Sequence, residues 1–440
     1  MSLRSTLAQA KLDTLRLLDI GGGRYELTLA RTRAESVDWT RFNRDFDTDA
    51  LTAPRAITLA DREARKLVHD AGADASLEVL EGILASGRHQ LLVSRVEPRL
   101  DMACHLFVHS STLGRNNGMH ALRAGGIRRH DPSMPELEVF ADTANLARAM
   151  SYKNAAAGLP MGGCKMSLHA EPVALDDLDR LGFIGYCIEA NRMLTGPDMG
   201  FTARHVDVLR EHFTQHCTGG TLGALGPTGV PTALGVFLAI REAVRHTDGS
   251  PDLSGKRVAI QGLGSVGGTL AEHLAGAGAK LVVADTNPAA VARVQSILRD
   301  VEVVSPDEIL RVPCDILAPC AYGGILDEAA IDNLACKMVF GGANNPLLAS
   351  SKDGEIRLAR RLHERGVLFQ IEWLHNTAGV MSGFEEYLRG PEATQDHLRP
   401  RLERVCKDGT ARVLALAKER DLTPTEVAYQ ELERLLYPEA

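Results

Sequence analysis

The stretch from Arg257 to Asp285 constrains the fold more than any other part of the chain. Arg257-Val258-Ala259-Ile260-Gln261 reads as a buried parallel strand. It runs straight into Gly262-Leu263-Gly264-Ser265-Val266-Gly267, then a helix from Gly268 to Ala277, then a strand Lys280-Leu281-Val282-Val283-Ala284 that ends in Asp285. Parallel strands joined by a helical crossover belong to sheets covered on both faces. The three glycines have separate tasks: Gly262 makes the tight turn, and Gly264 lets the backbone reach a pyrophosphate at the helix N-terminus. Gly267 lets the helix pack on the strand. Ser265 and Val266 complete the loop. Asp285, twenty-three residues after Gly262, stands where an acid bonds a ribose 2′-hydroxyl. A lone glycine triplet of this kind is more often an ordinary loop. With strand, helix and acid in register, the unit is expected to be a Rossmann-type dinucleotide-binding domain. A carboxylate at Asp285 repels a 2′-phosphate, which favours NAD over NADP, while Asn287 and Arg293 leave room for both.

A chain of 440 residues exceeds what one compact core usually serves, so two or three domains are expected. Hydrophobic residues at 45% and charged residues at 24% fit a soluble globular protein. The net charge of −8 without a long basic run gives nucleic-acid binding no electrostatic support. No run of eighteen apolar residues and no apolar signal core is present, so no membrane partner and a cytoplasmic location are expected. Cys104, Cys164, Cys187, Cys217, Cys314, Cys320, Cys336 and Cys406 form no CxxC pair and no Cys/His zinc spacing. They read as reduced packing residues, with no metal site.

Four regions follow from the pattern. Residues 1–89 mix strand-like pieces (Arg24 to Leu29) with a charged segment (Ala60 to Lys66) and no chemical motif, so they read as an appended N-terminal subdomain used in packing. From Gln90, Leu91 to Val96 and Ala103 to His109 are strand-like. A glycine-studded loop from Gly114 to Gly126 and a helix from about Leu137 to Gly158 follow, giving an α/β domain over 90–225. Gly219 to Gly235 reads as an inter-domain hinge, followed by a helix from Ala233 to Val244. The dinucleotide-binding domain spans 226–400, with further strands at Cys314 to Ala318 and Lys337 to Gly341. The tail, 401–440, reads as helical from about Pro400 in a first turn.

Two lysines stand out upstream of the glycine loop. Lys153 shares a helical face with Leu146 and Met150, at i, i+4 and i+7. Lys165 follows Gly162-Gly163-Cys164, read as a glycine turn where backbone can approach a ligand. Either lysine alone would be read as a solvated surface cation.

The motifs Gly125-Gly126-Ile127-Arg128, Ala147 to Ala156, Gly162 to Lys165, Thr195-Gly196-Pro197-Asp198-Met199-Gly200, Ala343-Asn344-Asn345 and Asn376-Thr377-Ala378-Gly379 stand in one order. From about Gln90 onward the chain resembles the glutamate/leucine/phenylalanine/valine dehydrogenase family, nearest its leucine/phenylalanine branch. The resemblance implies a homo-oligomer formed through the substrate domain, with the C-terminal helices packing back on that domain. It also implies that Lys153 holds the substrate carboxylate, Lys165 activates water and Asp198 shuttles protons at the amino group. Asn376 would contact substrate and nicotinamide, and Thr232, Ala318 and Asn344 would contact the cofactor. The implied reaction is NAD-linked oxidative deamination of an L-amino acid to the 2-oxo acid and ammonia, and its reverse.

The implied side-chain pocket is Ala124, Gly125, Met150, Gly196, Val380 and Gly383. Glutamate-specific members carry a lysine where Ala124 stands and a serine where Gly383 stands. Neither residue here can pair a carboxylate, which counts against glutamate. Ala124, Gly196 and Gly383 replace larger residues of the leucine type, so a bulky apolar or aromatic side chain is expected, with branched-chain substrates second. Two positions depart from the family pattern: Thr377-Ala378 stands for Ala-Gly, and Cys164 stands for a glycine. A non-catalytic NAD-binding regulator is the reading from another class. Loss of Lys165 or Asp198 would have favoured it, and both are present.

Overall fold

A computed structural model describes residues 2–42, 51–111 and 121–437. Of the expected glycine loop from Gly114 to Gly126, residues 114–120 lie outside the described residues. The chain divides into two compact units. The first comprises Met1–Asn154, Pro160–Gly226 and Glu386–Glu392; the second comprises Ala155–Leu159, Pro227–Glu385 and Ala393–Ala440.

In the first unit the strands are β1 (Thr14–Asp19), β2 (Tyr25–Arg33), β3 (Thr52–Leu59), β4 (Leu91–Glu97), β5 (Met102–Ser110), β6 (Arg123–Ala124), β7 (Ile127–His130), β8 (Gly162–His169) and β9 (Met193–Leu194). They form one mixed sheet in the order β3-β2-β1-β4-β5-β8-β6-β9, with β7 also paired to β8. Every residue of β5 and β8 is buried, as their apolar runs require of strands covered on both faces. Alternate residues serve two cores. Cys104, Leu106, Cys164 and Met166 pack with Phe183, Ile184 and Val206 from the helices Leu178–Ala190 and Ala203–His212. Ala103 and Phe107 pack with Leu80 and Leu84 of the helix Asp74–Ser86 and Phe140 and Ala144 of the helix Glu136–Ala156.

Residues 1–89 are not a separate body. β1 pairs antiparallel with β4, and fully buried Trp39 packs edge-on against Phe183, their centroids 5.1 Å apart. Their leucines find their hydrophobic partners in the shared sheet, so a boundary at residue 89 would cut through one core.

Gly162-Gly163 also differs from expectation, being the start of a strand and not a turn. A Cβ at Gly162 would lie 1.7 Å from the Ser110 carbonyl oxygen, and one at Gly163 would lie 2.1 Å from the Ser151 backbone nitrogen. Close approach of the end of β5 to Gly162 and of the helix to Gly163, not turn geometry, demands glycine there.

In the second unit β10 (Arg257–Gln261), β11 (Lys280–Ala284), β12 (Val301–Val303), β13 (Cys314–Pro319), β14 (Cys336–Val339) and β15 (Leu368–Phe369) form a six-stranded sheet, order β12-β11-β10-β13-β14-β15. Every pair is parallel. Strand order reverses between β10 and β13, the crevice where doubly wound sheets take ligands. The expected hinge brackets the unit boundary at Gly226/Pro227, but from Gly229 the chain is already the helix Gly229–Asp248.

Residues 401–440 cluster with the second unit. Leu414, on the helix Gly409–Arg420, joins the core of Val236, Ala239, Ile240 and Leu274. Pro400 lies inside the helix Gln395–Leu402 and not in its first turn, because the Thr394/His397 capping box starts the helix upstream.

Candidate active site

Strand alternation places the chemistry of the first unit. Cys164 and Met166 belong to one core, so Lys165 between them points to the opposite face of the sheet. There its Nζ is ion-paired with Asp198 Oδ2, the two side chains 5% and 12% exposed. Asp198 sits at a tight turn closed by hydrogen bonds with Phe201, each 3.0 Å. Its Oδ1 accepts from the Met199 backbone N–H at 2.7 Å. Gly126 lies against the pair: a Cβ there would come within 3.2 Å of Lys165 Nζ and 3.4 Å of Asp198 Cβ.

Burial alone would raise the Asp198 carboxyl. The positive charges of Lys165 and Arg128 overcome it and hold that group well below the usual carboxylate range. Arg128, on β7, reaches Asp198 Oδ1 at 3.4 Å through Nη2 and both Asp142 oxygens at 3.2–3.3 Å through Nη1. His130 Nε2 is 2.8 Å from Asp142 Oδ2. Sequence reasoning assigned Arg128, Asp142 and His130 no task. The available signal was the Gly-Gly-x-Arg motif together with period-two alternation, which puts Arg128 and His130 on one face of β7.

The other expected residues of this unit lie nearby in the strand framework. Ala124 is paired with Gly163 of β8 and Leu194 of β9. The Gly125 N–H donates to Leu194 O at 3.1 Å, and the Ile127 N–H donates to Gly196 O at 3.1 Å. Lys153 is buried and Met150 half-buried on the helix Glu136–Ala156. The end of that helix is tied to β8 by Asn154 Nδ2 donating to Gly162 O at 2.8 Å. Asn376, Val380 and Gly383 belong to the second unit.

In the second unit, Gly262 has φ +89° and Gly264 caps the helix Ser265–Gly276. A Cβ at Gly267 would fall 1.9 Å from Gly262 O, so this glycine is required by helix–strand packing. A Cβ at Gly264 would meet nothing within 4 Å, and Gly264 and Ser265 are exposed while Val266 is half-buried. Asp285 accepts the Leu263 N–H at 2.6 Å and the Asn287 N–H at 2.7 Å. Arg293 Nη2 donates to Leu263 O at 2.7 Å. A cleft of about 550 Å³ is lined by Gly264, Ser265, Thr269, Asn287 and Arg293.

At the switch point, Ala318 is fully buried beside Ile260. Asn376 Nδ2 donates to Asn344 Oδ1 at 3.1 Å and Gly342 O at 3.3 Å. Asn376 Oδ1 is buried without a hydrogen-bond partner. Thr232 Oγ1 donates to Thr228 O at 2.8 Å, and a Cβ at Gly379 would lie 2.8 Å from that hydroxyl oxygen. An open helix N-terminus and an orphaned buried amide oxygen fit a dinucleotide with a carboxamide head.

Comparison with known proteins agrees with this arrangement. The family model described as Glutamate/Leucine/Phenylalanine/Valine dehydrogenase matches residues 219–301 and 286–435. The model described as the Glu/Leu/Phe/Val dehydrogenase dimerisation domain matches residues 109–215. The leucine dehydrogenase of Thermoactinomyces intermedius is 34% identical over 330 residues, covering 71% of this chain and 85% of its own. The L-tryptophan dehydrogenase of Nostoc punctiforme is 34% identical over 283 residues, covering 64% of this chain and 75% of its own. The crystal structure of L-tryptophan dehydrogenase from Nostoc punctiforme superposes with a TM-score of 0.63 at 27% identity, covering 81% of this chain and 98% of that one. No helix among the described residues is long and apolar enough to cross a membrane. The chain belongs to the glutamate/leucine/phenylalanine/valine dehydrogenase family, which uses NAD(P), and it is an amino-acid dehydrogenase, an oxidoreductase acting on CH–NH2 donors.

Proposed function

We propose that the protein catalyses NAD-dependent oxidative deamination of a bulky apolar or aromatic L-amino acid to its 2-oxo acid and ammonia, and the reverse reductive amination. The buried Lys165–Asp198 pair on the interior face of β8 carries this reading. A base and its proton acceptor in direct contact suit a reaction that must deprotonate water and protonate a leaving amine. NAD, when bound, accepts the hydride released from the substrate Cα. Lys165 takes a proton from water as it adds to the resulting imino carbon. Asp198, held as an anion, relays that proton from Lys165 to the carbinolamine nitrogen; as the C–N bond breaks and ammonia departs, Lys165 takes the hydroxyl proton and the carbonyl forms. Lys153 binds the α-carboxylate, and Asn376 contacts substrate and positions the nicotinamide.

The choice of NAD rests on Asp285, whose carboxylate repels a 2′-phosphate. Gly264, Ser265 and Val266 receive the pyrophosphate on the turn that Gly262 makes and the packing that Gly267 allows, while Thr232 and Asn344 contact the rest of the cofactor. Arg293, lining the cleft with Gly264 and Asn287, supports a weaker use of NADP. The preference for bulky substrates rests on the small residues Ala124, Gly196 and Gly383, with Gly125, Met150 and Val380 as the further side-chain specificity positions. Such size differences discriminate by about 1–3 kcal/mol each. A branched-chain substrate is the second reading, favoured by the leucine and valine dehydrogenases among the relatives. The match of residues 109–215 to a dimerisation domain supports a homo-oligomer, which we place in the cytoplasm. A panel of L-amino acids with NAD or NADP at alkaline pH tests the assignment. NADH formation with phenylalanine, tryptophan or leucine supports it, and silence across the panel with both cofactors overturns it.

A further inference from the structure

We propose that Arg128 is a positioning residue for the reaction: its guanidinium, anchored by Asp142 and His130, fixes the Asp198 carboxylate so that the other oxygen faces Lys165. The assignment rests on the proposed proton relay through Asp198. Three observations carry it. Asp198 divides its oxygens, Oδ2 to Lys165 and Oδ1 to Arg128 at 3.4 Å and to the Met199 N–H at 2.7 Å. Arg128 is 14% exposed, its Nη1 spans both Asp142 oxygens, and Asp142 is itself held by His130 at 2.8 Å. The planar fork of arginine lets one side chain engage two carboxylates at fixed angles, which a lysine cannot do. The network uses three rigid elements: β7 supplies Arg128 and His130, the helix Glu136–Ala156 supplies Asp142, and β8 supplies Lys165. A carboxylate that must hand a proton from lysine to a substrate nitrogen gains from having one oxygen immobilised.

Cation and carboxylate alternate along the contacts Lys165, Asp198, Arg128 and Asp142, and the His130 ring closes the series on Asp142 Oδ2. The Arg128 guanidinium beside Asp198 helps hold that carboxylate ionised against its burial, so removing it has a defined sign.

The test compares Arg128→Met and Arg128→Lys in kcat and KM profiles against pH, using the best amino acid from the panel. Arg128→Met should lower kcat by about 10- to 100-fold with KM for the amino acid changed by less than about threefold. Its acid limb should move up by about one pH unit. Arg128→Lys keeps the charge and loses the fork, so its acid limb should stay in place while kcat falls several-fold. An Arg128→Met enzyme with unchanged kcat and acid limb, or an Arg128→Lys enzyme indistinguishable from the unsubstituted one, overturns the proposal. Should Arg128→Met fail to fold, the lysine variant decides alone. Asp198→Asn in the same assay separates the two ideas. If it keeps full turnover, the relay reading fails; if it loses turnover while the Arg128 variants are unaffected, only the role of Arg128 fails.

Discussion

Replacing Gly264 and Gly267 by alanine, one at a time, separates what the glycine loop does for the fold from what it does for the cofactor. A methyl at Gly267 would sit 1.9 Å from the Gly262 carbonyl and 3.0 Å from Cys320 Cβ. The first distance is roughly 1.5 Å inside ordinary contact. The obstacle is backbone, which cannot rotate away, so the helix Ser265–Gly276 must lift from β10. Overpacking of this kind costs about 1–3 kcal/mol or more. Gly264 differs. Its φ of −65° is open to any residue, and a Cβ there meets nothing within 4 Å. Alanine is a poorer helix cap than glycine, so Gly264→Ala should cost at most about 1 kcal/mol in stability. Its methyl would nevertheless project where a pyrophosphate must approach the helix N–H groups. A comparable steric penalty at the ligand corresponds to about 10- to 100-fold weaker NAD binding. Thermal scans measure the first effect, and calorimetric or fluorescence titration with NAD measures the second. Gly264→Ala should bind poorly while melting near the unsubstituted protein, and Gly267→Ala should melt markedly lower. A Gly264→Ala protein that binds NAD with unchanged affinity would refute the placement of the phosphate at this helix end. Unchanged melting of Gly267→Ala would refute the packing argument.

Other consequences can be measured independently. Lys165→Ala and Asp198→Asn should each lower kcat by about 100-fold or more with NAD affinity unchanged in titration; either variant retaining turnover removes its assigned role. Burial pushes the His89 imidazole down to about 4 and those of His105 and His109 well below the usual histidine range. The unfolded chain therefore binds more protons once pH falls below about 6.5. Stability should be full above that value and decline from there toward pH 4, and a flat melting temperature over that window would contradict the burial of these rings. Leu414→Ala, in the core beneath the Gly229–Asp248 helix, should destabilise the nucleotide-binding unit by about 2–5 kcal/mol. Hydrogen exchange should register the loss in β10 and β11 and leave β5 and β8 protected.

The cofactor unit was almost fully legible in the sequence because each of its determinants is local. Arg257–Gln261 and Lys280–Ala284 were read with the bounds that the structure has. A run of apolar residues, a glycine loop and an acid at fixed spacing each report on neighbours within thirty residues. The substrate unit was only partly legible. Its lysine and aspartate could be singled out, but their contact joins a strand residue to a turn thirty-three residues later. The Arg128–Asp142–His130 buttress crosses from strand to helix, and no sequence period marks such a pairing.

The same contrast separates the two sources of information about this protein. By itself the sequence determined that parallel strands would flank the glycine loop from Gly262 to Gly267, and which residue types were available for acid–base chemistry. Tertiary structure alone decided that residues 1–89 share a sheet with β4 and that the tail belongs to the nucleotide-binding unit. It also decided that Gly162-Gly163 is buried strand and that Asp198 lies between two cations. The physical reason is range. Turn chemistry and strand alternation are set by adjacent residues, whereas burial and ion pairing depend on which distant surfaces the chain brings together.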